Sequence, residues 1–351
     1  MKTKLNQTRT LGAVSVKTVF IWLVALPFAA AAASVNLVSD TSIINLSTGV
    51  SSAQIQAALD RLPASGGEVI LPAGTFNLDQ SIVLRRDNLT LRGTGPETIL
   101  RLADNANCPV IIMGDPVNHP SQIIRHLKVA GFFIDGNRSH QQRELWHDTG
   151  EGSEIRNNGI TVQAVSDSVV ENVTCVRCRS GGLVTTLGVR RLTVKNFEAF
   201  DNEFDGLACY LTEDSLFTGL NLHNNPGAGI SLDLAFNHNV ISNADLTAND
   251  LGIFMRASHE NKFYGVAIHH SHSYGVFMAD VQNFTDGAVR SAPHSACTQN
   301  AFTNLIAIRC GGAAFRINNA TCTNNIIIRP QFTGNERGGL SLAQPDLATV
   351  Q

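Results

Sequence analysis

The chain has 351 residues, with 26 Lys and Arg against 29 Asp and Glu, and a formal net charge of −3. Because this balance is mildly acidic, it offers no electrostatic basis for binding nucleic acid and excludes that class of partner. Seven cysteines are present, an odd number, and their spacing is not the paired C-x-x-C arrangement of a zinc site.

The first 33 residues predict a cleaved secretory signal peptide. They carry four basic residues and no acid, followed by an apolar run over 19–28 and an Ala-x-Ala site before Ser34. The apolar run is too short to span a bilayer; an uncleaved membrane anchor is the alternative. We expect cleavage near Ala33–Ser34, a secreted or periplasmic mature chain and no membrane span afterwards. The mature residues 34–351 then carry a net charge of −7 and form one domain.

An amphipathic helix is predicted over about 52–62. Ser51 and Ser52 provide its N-terminal cap, and Pro63 and the Gly66–Gly67 pair end it. Strand-like runs follow at once, at 68–71, 75–76, 82–84 and 89–91.

From residue 159 onwards a glycine followed by an apolar residue returns six times at intervals of 23 or 24 residues. The six glycines are Gly159, Gly182, Gly206, Gly229, Gly252 and Gly275. A fixed period in this range predicts a solenoid, in which equivalent residues of successive repeats stack on one another.

Each repeat contains three short strand-like runs separated by Asn, Asp, Gly and Ser, which favour turns. The repeat is too short for the common helical repeats, and the Asn-Leu signature of leucine-rich repeats is absent. We therefore predict a single-stranded parallel β-helix of about 9–11 coils over residues 68–342, capped by the helix at 52–62, and we expect a monomer. One coil grows to about 37 residues before Gly312, and such insertions often form a binding face.

Side chains alternate between faces along a strand, so each coil contributes an inward and an outward position. The inward column is apolar or small: Val162, Thr185, Cys209, Leu232, Met255 and Met278. Cys175 and Cys209 are interpreted as interior residues. A disulfide between two of Cys297, Cys310 and Cys322 remains open.

The outward column contains a candidate functional site. It aligns Tyr210, Asp233 and Arg256 on three adjacent coils, about 4.8 Å apart per step, and these are the candidate catalytic residues. An arginine neutralises a uronate carboxylate, and a tyrosine can accept the C5 proton if a neighbouring cation lowers its pKa. Asp233 would raise the pKa of the tyrosine, which counts against Tyr210 as the base. The alternative is a surface ion pair of Asp233 with Arg256, worth less than ~1 kcal/mol.

Other polar and aromatic residues surround that column. Phe254 and Phe277 form a candidate sugar-stacking platform, and Asp201 and Asp205 are further candidates for binding substrate. The same two aspartates could hold Ca²⁺, although such residues are also expected at ordinary turns. No cofactor is evidently required.

His269, His270 and His272 crowd one turn, where they either bind a metal or are merely solvated. The polar segment 138–156 either walls a cleft or is a disordered loop.

Three segments carry a family resemblance. The stretch 54–76, with Gly-Gly-Glu-Val-Ile-Leu-Pro-Ala-Gly-Thr-Phe at its end, resembles the opening of pectate-lyase-superfamily β-helix proteins. The runs Phe133–Arg138 and Phe200–Leu207 resemble coils of the catalytic modules of mannuronan (alginate) C5-epimerases. The resemblance implies a right-handed helix and a polysaccharide substrate.

One departure from the epimerases is serious. The epimerases carry an Asp-Pro-His-Glu motif that follows a Tyr. When Gly182–Leu183 is aligned with that place, the motif positions of this chain are Val184, Thr185, Thr186 and Leu187, and Gly181 stands in place of the Tyr. Three functions therefore stay open. The first is an epimerase or lyase that removes the C5 proton of an anionic glycan. The second is a glycoside hydrolase with paired carboxylates, for which Asp205 and Asp233 are the best pair. The third is a non-catalytic carbohydrate-binding or envelope-structural protein.

Overall fold

The computed structural model describes residues 42–117, 119–142, 156–281 and 296–351. The predicted signal peptide, most of the polar segment 138–156 and residues 282–295 of the long coil lie outside the described residues. Strands pair in parallel with the strand one coil later, and they build a right-handed parallel β-solenoid of about 12 turns. The predicted fold class is confirmed.

Ten strands form one face of the solenoid, called here the front sheet. Their bounds are β4 (Ile82–Leu84), β7 (Ile111–Met113), β10 (Ile160–Gln163), β12 (Leu183–Thr186), β14 (Leu207–Tyr210), β17 (Ala228–Asp233), β19 (Leu251–Arg256), β21 (Val276–Ala279), β24 (Phe315–Ile317) and β27 (Leu340–Leu342).

Eighteen further strands form the remaining sheet. They are β1 (Ile43–Asn45), β2 (Gly67–Ile70), β3 (Gly74–Leu78), β5 (Leu89–Arg92), β6 (Thr98–Leu102), β8 (Ile124–Arg125), β9 (Lys128–Asp135), β11 (Val165–Val176), β13 (Val189–Phe200), β15 (Thr212–Glu213), β16 (Leu216–His223), β18 (Val240–Thr247), β20 (Lys262–His269), β22 (Ala301–Thr303), β23 (Ile306–Ile308), β25 (Asn325–Ile328), β26 (Gln331–Thr333) and β28 (Ala348–Val350). Two 3₁₀ turns, at Arg138–His140 and Pro345–Leu347, complete the assignment.

The helix α1 (Ser52–Arg61) agrees with the predicted cap. Ser51 accepts a hydrogen bond from the Gln54 amide, and the Gln54 side chain accepts one from the Ser51 amide, which forms a capping box. Ile55 and Leu59 on the inner face of the helix are fully buried in the core at the first coils. Among the described residues, no helix has the length and apolar character needed to cross a membrane.

The repeated glycine is explained by close approach between successive coils. A Cβ on Gly182 would lie 2.6 Å from the carbonyl oxygen of Gly206, and one on Gly252 would lie 2.5 Å from that of Gly275. Because no side chain fits in that space, glycine recurs at this position in the coils from Gly159 to Gly275, whereas the aligned residues of three other coils are Ser81, Val110 and Ala314. The predicted register follows: Ile160 pairs with Leu183, Leu207 with Ile230, and Ile253 with Val276.

The side chains of the predicted inward column lie in the interior of the solenoid. Every member of that column has no exposed surface: Val162, Thr185, Cys209, Leu232, Met255 and Met278. Cys175 is also fully buried, so the interior assignment of Cys175 and Cys209 is confirmed. All seven cysteines are free thiols.

Two ladders of buried asparagines fix the turns on either side of the front sheet. Asn202, Asn225 and Asn249 form the first ladder, in which each side-chain amide donates to the next carbonyl oxygen at 3.1 and 2.9 Å. The second ladder runs through Asn239, Asn261, Asn300 and Asn325 at 3.0–3.3 Å. These bonds satisfy polar groups that would otherwise be buried at a cost, and they hold the front strands in a fixed register.

Candidate functional site

The front sheet aligns the predicted row. Tyr210 pairs with Asp233, and Asp233 pairs with Arg256, in the parallel register that the period requires. The three side chains therefore lie side by side on adjacent strands, at the C-terminal ends of β14, β17 and β19. The alignment of this row was predictable from the spacing alone.

The exposure of this row differs from the prediction. Tyr210, Asp233 and Arg256 are 8%, 3% and 2% exposed, whereas the sequence placed them on an open surface. They do not join the solenoid core. Tyr210 instead packs with Ala208 and Leu234 in a separate cluster on the outer side of the front sheet. The three side chains therefore lie on the predicted outer face of the front sheet, but they are buried.

Asp233 and Arg256 form a buried, two-pronged ion pair. Arg256 Nε donates to Asp233 Oδ1 at 2.7 Å, and Arg256 Nη2 donates to Asp233 Oδ2. The Arg256 guanidinium also lies 5.9 Å from the centre of the Phe254 ring. The predicted alternative, a solvated surface pair, is wrong, because both side chains are almost fully withdrawn from water. Their attraction is therefore weakly screened.

A small cavity that is open to solvent lies on the outer side of the front sheet, beside Tyr210. Its floor consists of small outward residues on three adjacent strands, Thr161, Val184 and Ala208, and its sides include Thr186 and Tyr210. The turns that precede these strands contribute the other lining residues: Arg156, Asn158, Ser180, Gly181, Phe204 and Asp205. The cavity combines a cation, a carboxylate, a phenol and several hydroxyl and amide groups.

Hydrogen bonds between coils hold the turn residues of the cavity. Asp205 Oδ1 accepts from the Ala228 amide at 2.6 Å, which ties this carboxylate to the next coil. Asn158 accepts from the Gly181 amide at 3.1 Å and donates to the Thr161 hydroxyl at 3.0 Å. The polar lining is therefore preorganised by the same stacking that builds the solenoid.

An aromatic platform lies further along the front sheet. Phe254 and Phe277 are register partners, with ring centres 6.1 Å apart and planes within 8° of parallel. Tyr274 lies 5.4 Å from the Phe277 ring, and Arg316 pairs with Phe277 on the following strand. Both phenylalanines are only partly buried, so an apolar surface flanked by an arginine faces outwards.

The remaining candidates are placed as follows. Asp205 lines the cavity, whereas Asp201 is exposed at a neighbouring turn with a left-handed backbone. Within the described ranges, His269, His270 and His272 do not bring their ring nitrogens together as a group of metal ligands. Cys297 and Cys322 are neighbours, since the Cys297 amide lies 3.4 Å from the Cys322 sulfur.

Sequence reasoning missed Asn158 and Phe204 as site residues. Arg156 ends the polar segment 138–156, for which a role in walling a cleft was one of the two predictions, and it does line the cavity. Asn158 and Phe204, however, lie one residue before Gly159 and two before Gly206 in the glycine column. Reading the residues just before each glycine as a column of their own would have found these two.

Three solved structures with similar folds were compared. The A-module of the mannuronan C-5 epimerase AlgE4 from Azotobacter vinelandii is 17% identical, with 86% of this chain and 95% of that one covered and a TM-score of 0.54. The N-terminal fragment of gene product 12 of bacteriophage phi29 is 16% identical, with 86% and 55% covered and a TM-score of 0.66. The polygalacturonase of Erwinia carotovora ssp. carotovora is 11% identical, with 89% and 96% covered and a TM-score of 0.55.

At these identities the likeness concerns the fold alone. No curated protein is similar to this chain in sequence. A family model described as the right handed beta helix region matches residues 123–250 and 212–346, which together span well over half of the chain. The chain therefore belongs to the right-handed β-helix family.

Proposed function

We propose that this protein is an enzyme that acts on an anionic, uronate-containing polysaccharide by removing the proton at C5 of a sugar ring. The observation that carries the proposal is the convergence of Arg156, Asp205 and Tyr210 on one open cavity. Two of the structural neighbours are named as a mannuronan C-5 epimerase and a polygalacturonase. Those names concern uronate polymers and agree with the proposal.

The chemistry assigns a role to each charged group. The C5 proton of a uronate is acidic only when the adjacent carboxylate is neutralised, and a guanidinium does this through two parallel hydrogen bonds. Arg156 is the arginine that lines the cavity. Tyr210 accepts the C5 proton, and the electron pair of the broken C–H bond moves into the carboxylate as an enediolate. A cation near the phenol lowers its pKa and favours this transfer.

Two products can follow from that intermediate. If a water molecule delivers a proton to the opposite face of C5, the sugar is inverted and the enzyme is an epimerase; Tyr210 then gives its own proton to solvent. Departure of the C4 oxygen, which takes up a proton, breaks the chain and leaves a C4–C5 double bond, which gives a lyase. Both reactions begin with the same groups, so the cavity supports either.

Asp233 and Arg256 fit a positioning role better than contact with substrate. The guanidinium of Arg256 already holds the Asp233 carboxylate with two hydrogen bonds. The pair joins β17 to β19 on the strands that follow Tyr210. We therefore propose that it keeps the front strands in place beside the phenol, and that Arg156 takes the carboxylate-binding role.

The hydrolase alternative is less well supported. Hydrolysis requires two carboxyl groups about 5–9.5 Å apart across the bond. Among the described residues that line the cavity, Asp205 is the one carboxylate. Its proposed partner Asp233 is bound to Arg256.

Non-catalytic binding of a glycan is the second candidate, and the stacked rings of Phe254 and Phe277 favour it. Flat aromatic surfaces suit the apolar faces of sugar rings. A binding protein would need this platform but not the phenol of Tyr210. Catalysis therefore requires Tyr210, whereas binding alone requires Phe254 and Phe277.

A product assay on a panel of uronate polymers tests the proposal. The purified chain is incubated with alginate and with pectate. Ultraviolet absorbance then reports new double bonds, and proton NMR of the polymer reports inverted sugars. We expect one of these two signals. New reducing ends without unsaturation would indicate a hydrolase, and binding without any product would favour the second candidate.

Matched variants test the residue roles. Tyr210→Phe removes only the hydroxyl and should lower turnover by about 10²–10⁴-fold, the range for general acid–base catalysis. Arg156→Gln should raise KM and lower kcat. Tyr264→Phe is the control, because Tyr264 is 43% exposed on another sheet. A Tyr210→Phe enzyme with the wild-type rate would remove Tyr210 from the mechanism.

A further inference from the structure

Away from the front-sheet cavity, His238, His259 and Glu260 form a compact group at one turn of the solenoid. One potential ligand atom from each lies within 4.8 Å of the other two. We propose that this group binds a divalent transition metal ion of the Zn²⁺ class, independently of the glycan chemistry proposed above.

The geometry is close to that of an assembled site. His238 Nε2 and Glu260 Oε2 are 3.2 Å apart. Two ligands of a tetrahedral zinc ion, each about 2.0–2.1 Å from the metal, lie about 3.3 Å from each other. The rings of His238 and His259 meet edge to face, with centres 5.5 Å apart and planes at 87°. Small rotations of exposed side chains would bring all three ligand atoms onto one ion.

The backbone fixes the three residues on two successive coils. His238 and Glu260 both have left-handed backbones, with φ of 58° and 56°. The His238 amide donates to the His259 carbonyl at 3.2 Å, and the His259 amide donates to the Asn237 side chain at 3.0 Å. The Glu260 amide donates to the Thr298 carbonyl at 3.0 Å, which ties the turn to the following coil.

Burial divides the three ligands into one fixed and two accessible groups. His259 is 6% exposed, so its ring is held within the turn. The side chains of His238 and Glu260 are each 47% exposed, so an ion can approach from solvent. Three protein ligands leave one tetrahedral position open, as in zinc sites that keep a water or a substrate atom.

The charges along this corner of the solenoid favour a cation. Asp214, one coil below, places Oδ1 3.9 Å from His238 Nδ1 and adds a negative charge. Two arginines on an earlier coil are already paired with acids: Arg191 with Asp167, and Arg190 with Glu213. No described cation is paired with Glu260 except the imidazole of His238.

The donor set selects the class of metal. Two imidazoles and one carboxylate suit Zn²⁺ and its transition-metal neighbours, whereas Ca²⁺ and Mg²⁺ prefer sites made entirely of oxygen ligands. A bound ion would join two successive coils, so it would act as a clip between them.

Isothermal titration of the full chain with ZnCl₂ tests the proposal. We expect one ion per chain, and no displacement by excess CaCl₂. His238→Ala and Glu260→Gln should each weaken binding by more than about 100-fold, since loss of an outer-shell partner alone costs 10- to 100-fold. Both residues are half exposed, so neither change should prevent folding. With Co²⁺ in place of Zn²⁺, the visible absorption band should disappear in His238→Ala.

His270→Ala is the matched control. His270 is exposed, has the same left-handed backbone with φ of 55°, and belongs to the other histidine-rich turn. It should bind Zn²⁺ as the wild type does. The proposal is overturned if the wild type does not bind Zn²⁺, or if Ca²⁺ competes equally. It is also overturned if binding survives in His238→Ala and Glu260→Gln, or is lost in His270→Ala.

Discussion

Removing one partner of the Asp233–Arg256 pair should be strongly destabilising. Asp233→Ala leaves the Arg256 guanidinium, 2% exposed, without the carboxylate that receives its two hydrogen bonds. Two unit charges about 4 Å apart attract by about 4 kcal/mol at an effective dielectric of 20. Breaking a buried pair by removing one partner typically costs about 3–5 kcal/mol. We expect a loss in that range, whereas a surface pair would lose less than ~1 kcal/mol.

A double-mutant cycle measures the coupling directly. The free energy of unfolding in urea is compared for the wild type, Asp233→Ala, Arg256→Met and the double variant. Because the double variant buries no unpaired charge from this pair, it should lose less stability than the two single losses added together. The pair Arg85–Asp60 is the control. It has a similar distance of 2.7 Å, but its side chains are 54% and 40% exposed, so its coupling should stay below ~1 kcal/mol.

The outcome also bears on the role of the pair. A coupling energy no larger than that of Arg85 with Asp60 would refute the argument from burial. If the folded double variant turns over substrate at the wild-type rate, the pair neither contacts the sugar nor positions the phenol. A moderate loss in a stable double variant is expected for a positioning role, whereas a loss as large as that of Tyr210→Phe would return Arg256 to the catalytic machinery.

Four other predictions concern the ladder, the interior and the front sheet. Asn225→Ala should cost about 2–4 kcal/mol in urea unfolding, because it removes the oxygen that accepts from the backbone and side-chain amides of Asn202 and the side-chain amide that donates to Asn249. Burial raises the pKa of Cys209 to about 12 from its ordinary value of 9.0. The folded state keeps this proton while the unfolded chain loses it, so unfolding measured against pH should show stability unchanged below pH 9 and falling above it, by about 1 kcal/mol for this thiol at pH 10. Phe277→Ala should weaken glycan affinity by up to about tenfold in titration calorimetry, the worth of one aromatic contact. Val184→Phe should fill the cavity and reduce product formation at least about tenfold, with unfolding changed by less than ~1 kcal/mol.

Three of these predictions have a control. Asn221→Ala removes an exposed amide bonded to Glu198, so it should change stability little; an equal loss would contradict the ladder argument. Cys209→Ala should reduce the alkaline loss by the share of this one thiol, since burial also raises the pKa of Cys175, Cys178 and Cys297; an unchanged profile would assign the loss to other groups. Ser231→Phe adds the same ring on the front sheet outside the cavity lining. If it blocks turnover as Val184→Phe does, the cavity is not the site.

The solenoid itself could be predicted because its cause is local and repeated. The Gly182 position must lack a side chain to admit the carbonyl of Gly206, and the same close approach recurs in the coils from Gly159 to Gly275. The period fixed the register, and the register fixed the inward column and the alignment of Tyr210 with Asp233. These properties depend on residue spacing alone, and that spacing can be read directly from the amino-acid sequence.

Burial of the row could not be predicted, because it depends on residues outside the repeated strands. Leu234 and Val281 follow the strand ends and pack against the Tyr210 cluster. The proposed metal-binding group was not found from the sequence for a different reason. Its members His238 and Glu260 are 22 residues apart, and the neighbouring Asp214 precedes His238 by 24, close to one coil, but the period was applied only to the strands. Applied to the turns, it aligns these three side chains on one edge.

The position of the cavity follows from a gradient of side-chain size along one outward column. That column reads Thr161, Val184, Ala208, Ser231, Phe254 and Phe277, from small residues to two rings. In a solenoid the backbone surface is nearly uniform, so relief on the sheet comes from side chains and loops. Small residues at one end recess the floor next to Tyr210, and the large rings raise the surface at the other end. A chain of sugars lying along the column would stack on the rings while one unit descends beside the phenol. A repeat fold thus acquires a directional site from a few substitutions at equivalent positions, without a change in its backbone.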